Sequence, residues 1–112
     1  MATTPQSRKA KGRIFQQYVR DMILAKFPTL TERDVQSTGM GQSGADVKLS
    51  EAAVKLFPYS VEAKNQETVS LWNWWEQTSA NTEKGTKPLL VIKKNRKEPL
   101  AVVTLKDFMD ML

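Results

Sequence analysis

Neither cysteine nor histidine occurs in this chain of 112 residues. Without cysteine, disulfide scaffolds, thiol nucleophiles and zinc–thiolate sites are excluded. Without histidine, Ser–His and Cys–His triads, imidazole metal sites and the commonest general base are excluded as well. Any chemistry falls to carboxylates, lysine and tyrosine. Long apolar runs are also missing: no stretch approaches a membrane span, and the start "MATTPQSRKAKGR" lacks the apolar segment of a signal peptide. The expectation is an intracellular, cytoplasmic protein with no membrane partner. Internal repeats and low-complexity tracts are absent too.

What is present is basic. Seventeen Lys and Arg against twelve Asp and Glu give a net charge of +5 and a pI near 9.6. That balance favours a polyanionic partner without identifying it, since ribosomal and membrane-surface proteins share it. The length suits one domain over residues 1–112, with a basic, flexible N-terminal segment over residues 1–10.

Along the chain, "GRIFQQYVRDMILAKFP" places Ile14, Phe15, Tyr18, Val19, Met22, Ile23 and Phe27 at helical spacing, and Pro28 ends the helix. Its other side offers Arg13, Gln16, Gln17 and Arg20, a polar stripe either solvated or aimed at a ligand. A short strand around Val35 and Gln36 leads to a loop with Gly39, Gly41 and Gly44. In "ADVKLS", Ala45, Val47 and Leu49 face a core while Asp46 and Lys48 face away. Ser50 caps a short helix that ends at Pro58. The strand "YSVEAKN" points Tyr59, Val61 and Ala63 one way and Ser60, Glu62 and Lys64 the other. A helix capped by Thr68 or Ser70 and stopped by Gly85 carries three tryptophans. Trp72 and Trp75 lie near Leu71, and Trp74 points away from Trp72, to a core, a dimer interface or DNA. Strands "PLLVIKK" and "PLAVVTL" follow, the first a buried central strand, and "KDFMDML" closes as a helix. The fold class is α/β, with a mixed central β-sheet flanked by helices in the order αββ(α)βαββα.

A Glu-x-Lys on one strand face is ordinarily a weak ion pair. Here it has a partner. Asp46 stands sixteen residues before Glu62 on the polar face of the preceding strand, and the intervening helix lets the two strands lie side by side. Asp46, Glu62 and Lys64 can then converge. Two carboxylates and a backbone carbonyl, that of Ala63, suit a hard divalent ion such as Mg²⁺, with Mn²⁺ as a substitute. Lys64 would position or deprotonate an attacking water, or neutralise charge developing on phosphorus. Two basic clusters, Arg8, Lys9, Lys11 and Arg13 near the N-terminus and Lys93, Lys94, Arg96 and Lys97 at a turn, are by default solvated. Beside a phosphodiesterase site they become candidate phosphate grips. Ser37 and Ser43 in or near the glycine-rich loop are weaker candidates for backbone contact, a flexible turn being the simpler reading. No base-reading motif is visible, so DNA shape rather than sequence would be recognised.

"SGAD" followed by "VEAK", with a helix upstream and a strand-rich C-terminal half, resembles the PD-(D/E)XK nuclease superfamily, whose core is the restriction-endonuclease-like fold. Within it the likeness is greatest to the small Holliday-junction resolvases of archaea and some phages. The resemblance spans about Lys11 to Val103. It implies that Asp46 and Glu62 are metal ligands and Lys64 the catalytic lysine, with Gln77 standing for the glutamine of the family's second long helix. One departure falls on the first helix. The family usually has a glutamate four residues after a glycine, and here Gln16 follows Gly12 at that spacing. An amide can reach a metal-bound water through its oxygen but supplies no charge and cannot act as a base. The implied activity is cleavage of four-way or other branched DNA by a homodimer, in recombination and repair, within the host cytoplasm for a phage protein. Two alternatives stand beside it: a nuclease of the same fold with a nicking or end-processing role, and a non-catalytic nucleic-acid-binding module.

Overall fold

The computed structural model describes residues 4–39 and 44–112. Nine elements follow in order: α1 (Pro5–Lys26), β1 (Val35–Ser37), β2 (Val47–Leu49), α2 (Glu51–Leu56), β3 (Tyr59–Asn65), α3 (Leu71–Ala80), β4 (Lys87–Lys93), β5 (Leu100–Val102) and α4 (Leu105–Asp110). That is the expected order. The fold is α/β, a mixed sheet flanked by helices, compatible with a restriction-endonuclease-like core.

α1 begins earlier than expected, so residues 5–10, anticipated as a flexible segment, are helical. The cause is local. Thr4 accepts a hydrogen bond from the Ser7 amide at 3.0 Å, and Pro5 occupies the first turn, where its missing N–H costs nothing. Lys26 sits in the last turn and the helix stops before Pro28. Only part of the apolar set faces inward: Phe15, Val19 and Ile23 are buried, whereas Ile14, Tyr18 and Met22 are exposed. A seven-residue apolar set covers more of the helix circumference than one packing face can bury.

β3 lies parallel to β4, with Glu62 opposite Leu90, and β5 runs antiparallel to β4 at the sheet edge. β4 is therefore central, as expected, although Leu90 alone in it is fully buried. α1 packs on the β3 face that carries Val61 and Ala63, joined by Leu89 and Val91 of β4. α3 covers the other face. Within α3, Trp74 takes the core among the destinations left open for it, 7% exposed, whereas Trp72 is 75% exposed. The arc facing the sheet is set by Trp74 and Thr78, one turn apart. α3 also ends at Ala80, short of Gly85, whose positive φ of 83° belongs to the following turn.

β1 and β2 form a separate antiparallel ribbon rather than members of one continuous sheet with β3. Val35 and Val47 of the ribbon share a core with Val61 and Ala63 of β3, and Asp46 links the two through its backbone. The Asp46 amide donates to the Val61 carbonyl at 2.8 Å, and the Asp46 carbonyl accepts from the Thr38 amide at 2.9 Å. Asp46 is thereby held by its backbone between the ribbon and β3. Ser50 anchors the ribbon from behind: its hydroxyl donates to Asp34 at 2.7 Å while capping α2 through the Ala53 amide.

Candidate active site

β3 supplies the central residues. Its polar face carries Ser60, Glu62 and Lys64, and α3 buries the first two to 4% exposure each. Glu62 and Lys64 lie on one face, with Nζ 3.7 Å from Oε1. From β2's leading edge, Asp46 reaches across: its Oδ2 accepts from the Ala63 amide at 2.7 Å, taking the place of a strand partner. Residues of an extended strand project their N–H and C=O to the same edge. The Ala63 carbonyl thus shares the edge at which Asp46 sits.

These groups open on a cavity of about 570 Å³. Gly39 and Gly44 wall one side, Gln77 and Asn81 of α3 another, and Gln16 with Arg8 and Lys9 of α1 a third. Gly44, with φ of 93°, turns the chain into Asp46, a conformation that other residues adopt at a cost.

The electrostatics are those of two carboxylates forced together. Burial pushes the Asp46 carboxyl above the usual carboxylate range, only partly offset by the Ala63 amide and the Lys64 charge. Burial likewise raises Glu62, and the Asp46 charge raises it further, against opposing contributions from Lys64 and the Asn81 amide. Glu62 Oε2 is buried with no hydrogen-bond partner. The same holds for Gln16 Oε1 and Asn65 Oδ1, and these are the three such side-chain atoms among the described residues. All three are acceptor oxygens, and all three residues line this one cavity. Buried acceptors cost free energy unless something electropositive meets them.

Glu62 and Gln16 of that set, beside Asp46, fit a hard divalent cation. Asp46, Glu62 and the Ala63 carbonyl would hold it, and Gln16 could reach a water in its shell. Among the described residues no group of three or more Asp or Glu side chains gathers anywhere, so the protein supplies two charged ligands and no third. Gln16, at 7% exposure, is separated by burial from Arg13, Gln17 and Arg20. Arg20 pairs instead with Asp21 at 2.8 Å.

The basic residues divide. Arg8 and Lys9 line the cavity, Lys11 pairs with Glu67 at 3.3 Å, and Arg13 lies exposed away from it. Lys93, Lys94 and Lys97 line a different depression beside Leu100, and Arg96 is exposed with φ of 63°. The turn cluster is therefore not part of the cavity that Asp46 and Glu62 line. Ser37 sits in β1 opposite Val47 and does not line the cavity; Ser43 lies outside the described residues. Asn65, Gln66 and Asn81 line it without having been singled out from sequence. The polar run "KNQ" after Glu62 is the one local signal for the first two, even though strand alternation carries Asn65 to the opposite face from Lys64.

No helix among the described residues is long and apolar enough to cross a membrane. No curated protein and no solved structure is significantly similar to the chain. The profile of the family described as "Phage putative PDDEXK endonuclease" matches residues 7–111, from the first helix through the last. With Asp46, the Glu62-Ala63-Lys64 strand and nearly the whole length inside that match, the chain belongs to this PDDEXK endonuclease family.

Proposed function

We propose that the protein is a Mg²⁺-dependent endonuclease that hydrolyses phosphodiester bonds in branched DNA, four-way junctions foremost, as a homodimer. The observation that carries the catalytic reading is the meeting of Asp46 and Glu62 beside the Ala63 carbonyl, in a cavity where the orphaned buried oxygens of Glu62 and Gln16 are both acceptors. In the reaction a P–O bond forms to water and the P–O bond to the leaving sugar oxygen breaks, giving a phosphate monoester and a free hydroxyl. A bound divalent ion would supply Lewis-acid stabilisation of the charged phosphoryl oxygens.

The chain's own residues do the rest. Asp46, just ahead of β2, and Glu62, on β3, place two carboxylates at fixed positions. Lys64, held beside Glu62, presents an ammonium to charge developing on phosphorus, worth more in this partly buried site than in water. Arg8 and Lys9 on the α1 wall draw the phosphodiester in. Gln16 orients a water but carries no charge, which favours a single tightly held ion over two.

The branched substrate follows from the resemblance of the motif arrangement to junction resolvases and from the lack of a base-reading motif. The dimer is supported by the C-terminal region, where among the described residues no strand pairs the outer side of β5 and Leu100, Leu105, Phe108 and Met109 are exposed. Cleavage of a four-way junction against linear duplex of the same sequence, with Mg²⁺ and with Mn²⁺, tests the assignment. Preference for the junction is expected. Equal cleavage of both would assign a different DNA substrate, and no cleavage of either would leave only binding. Sedimentation of the chain and of Phe108→Glu tests the dimer, which the variant should dissociate.

A further inference from the structure

A second cavity, of about 310 Å³, adjoins the catalytic one and shares Arg8, Asn65 and Gln66 with it. Thr68 and Glu67 from the turn after β3, and Asn95 from the β4–β5 turn, complete its outer wall. Glu67 is already engaged. Its Oε2 accepts from the Asn95 amide at 2.6 Å and from Lys11 Nζ at 3.3 Å, which ties the first helix to the distant turn and neutralises the one acid in the wall. Those two hydrogen bonds hold the Glu67 carboxyl below the usual range, the Asn95 amide contributing most. Arg8 makes no ion pair among the described residues and stands on the boundary between the cavities.

Asn65 gives the second cavity its chemistry. The residue is part-buried at the end of β3, and its Oδ1 is buried without a donor. A phosphate brings only acceptors and cannot satisfy it. A nucleobase can, because every base has at least one N–H on its pairing edge. In an intact duplex that edge is occupied, whereas a nucleotide displaced at a branch or distortion exposes it. The volume is of the order that small-molecule sites require.

We propose that this cavity is a subsite for the nucleotide flanking the scissile phosphate, with Arg8 on the linking phosphate and Asn65 accepting an N–H from the flanking base. The position of the scissile phosphate rests on the nuclease reading above. The subsite makes the enzyme asymmetric: a base on one side of the cut bond contributes and the base on the other does not.

Two measurements test this. In the first, an abasic linker is moved through successive positions around a mapped cut bond. At one flanking position wild-type cleavage should fall about tenfold, the size of one buried hydrogen bond. Asn65→Ala should show that loss on intact DNA and no further loss at the same position. A loss that is uniform over all linker positions, or no loss at all, would overturn the subsite. The second uses the absence of native cysteine. Asn65→Cys, with metal chelated, should form a disulfide with a thiol-tethered base in branched DNA, and Lys55→Cys on α2, away from both cavities, should not. Equal trapping by the two overturns the proposal. DNA trapped at position 65 by a chain that cleaves nothing with either metal would retain the subsite and remove the nuclease reading.

Discussion

Ser60 and Glu62 stand two residues apart on the same face of the same strand, each 4% exposed, and the protein treats them in opposite ways. Ser60 is fully satisfied: its hydroxyl meets that of Thr86 at 2.6 Å and accepts from the Glu83 amide at 2.9 Å, fastening the α3–β4 connection to the sheet. Glu62 has one oxygen 3.7 Å from Lys64, the other with no partner, and a second carboxylate close enough to raise its pKa. Equal burial therefore does not mean equal purpose. A polar group whose partners are all internal stabilises the fold, whereas one left unsatisfied in a rigid frame is held ready for something that arrives later.

The sharpest way to break that comparison is to exchange the consequences. Glu62→Gln, like Asp46→Asn, should lower cleavage by on the order of 10³-fold or more, because each deletes a charged ligand while keeping the shape. The metal-free Glu62→Gln protein should be the more stable, by about 1 kcal/mol or roughly 4 °C in Tm, since a buried like-charge contact is gone. Ser60→Ala should do the reverse. It strands the Glu83 amide and costs ~1–3 kcal/mol by thermal or urea unfolding, with cleavage by the folded fraction within a few-fold of wild type. Activity retained in Glu62→Gln and lost in folded Ser60→Ala would invert the assignment.

A smaller effect is expected at the surface. Replacing Lys93, Lys94, Arg96 and Lys97 together should reduce the slope of log affinity against log salt by about 0.9 for each phosphate contact removed. Because that turn lies outside the cavity of Asp46 and Glu62, the cleavage rate at saturating DNA should change little. An unchanged slope would make the cluster a solvated surface.

pH sharpens the comparison further. Asp46 and Glu62 both have raised pKa values, so the folded protein keeps protons that the unfolded chain has released. Metal-free stability should therefore fall as pH rises from the ordinary carboxylate range through the raised values. Metal must displace those same protons, so Mn²⁺ affinity by calorimetry should rise over the same window. In Asp46→Asn both dependences should shrink. Gln16 gives a still smaller effect: Gln16→Glu should tighten metal binding several-fold by adding a charge beside an orphaned acceptor, and Gln16→Ala should cost less than either carboxylate change. If neither variant alters metal affinity or cleavage, Gln16 is a core residue alone.

The two faces of β3 were legible in the order of residues because strand alternation is local and its period is fixed. The Ser50 cap illustrates the same point, its side chain accepting from the Ala53 amide as expected, whereas the Thr4 cap that starts α1 at Pro5 went unread. Trp72 and Trp74 show the limit. Both fit an apolar helix, and only the approach of the sheet determines which of two neighbouring arcs is covered. Gln16 and Gln17 differ for the same reason, one buried and the other exposed.

By itself, then, the sequence determined the element order, the chemistry available without histidine or cysteine, and the sharing of one strand face by Glu62 and Lys64. Each follows from composition or from a period of a few residues. Tertiary structure alone decided that Asp46 reaches Ala63 across two sheets, that Asn65 opens on a second cavity, and that the two basic clusters do not converge on one cavity. Those outcomes depend on which distant segments pack together, and packing is set by the sum of many long-range contacts that no local pattern encodes.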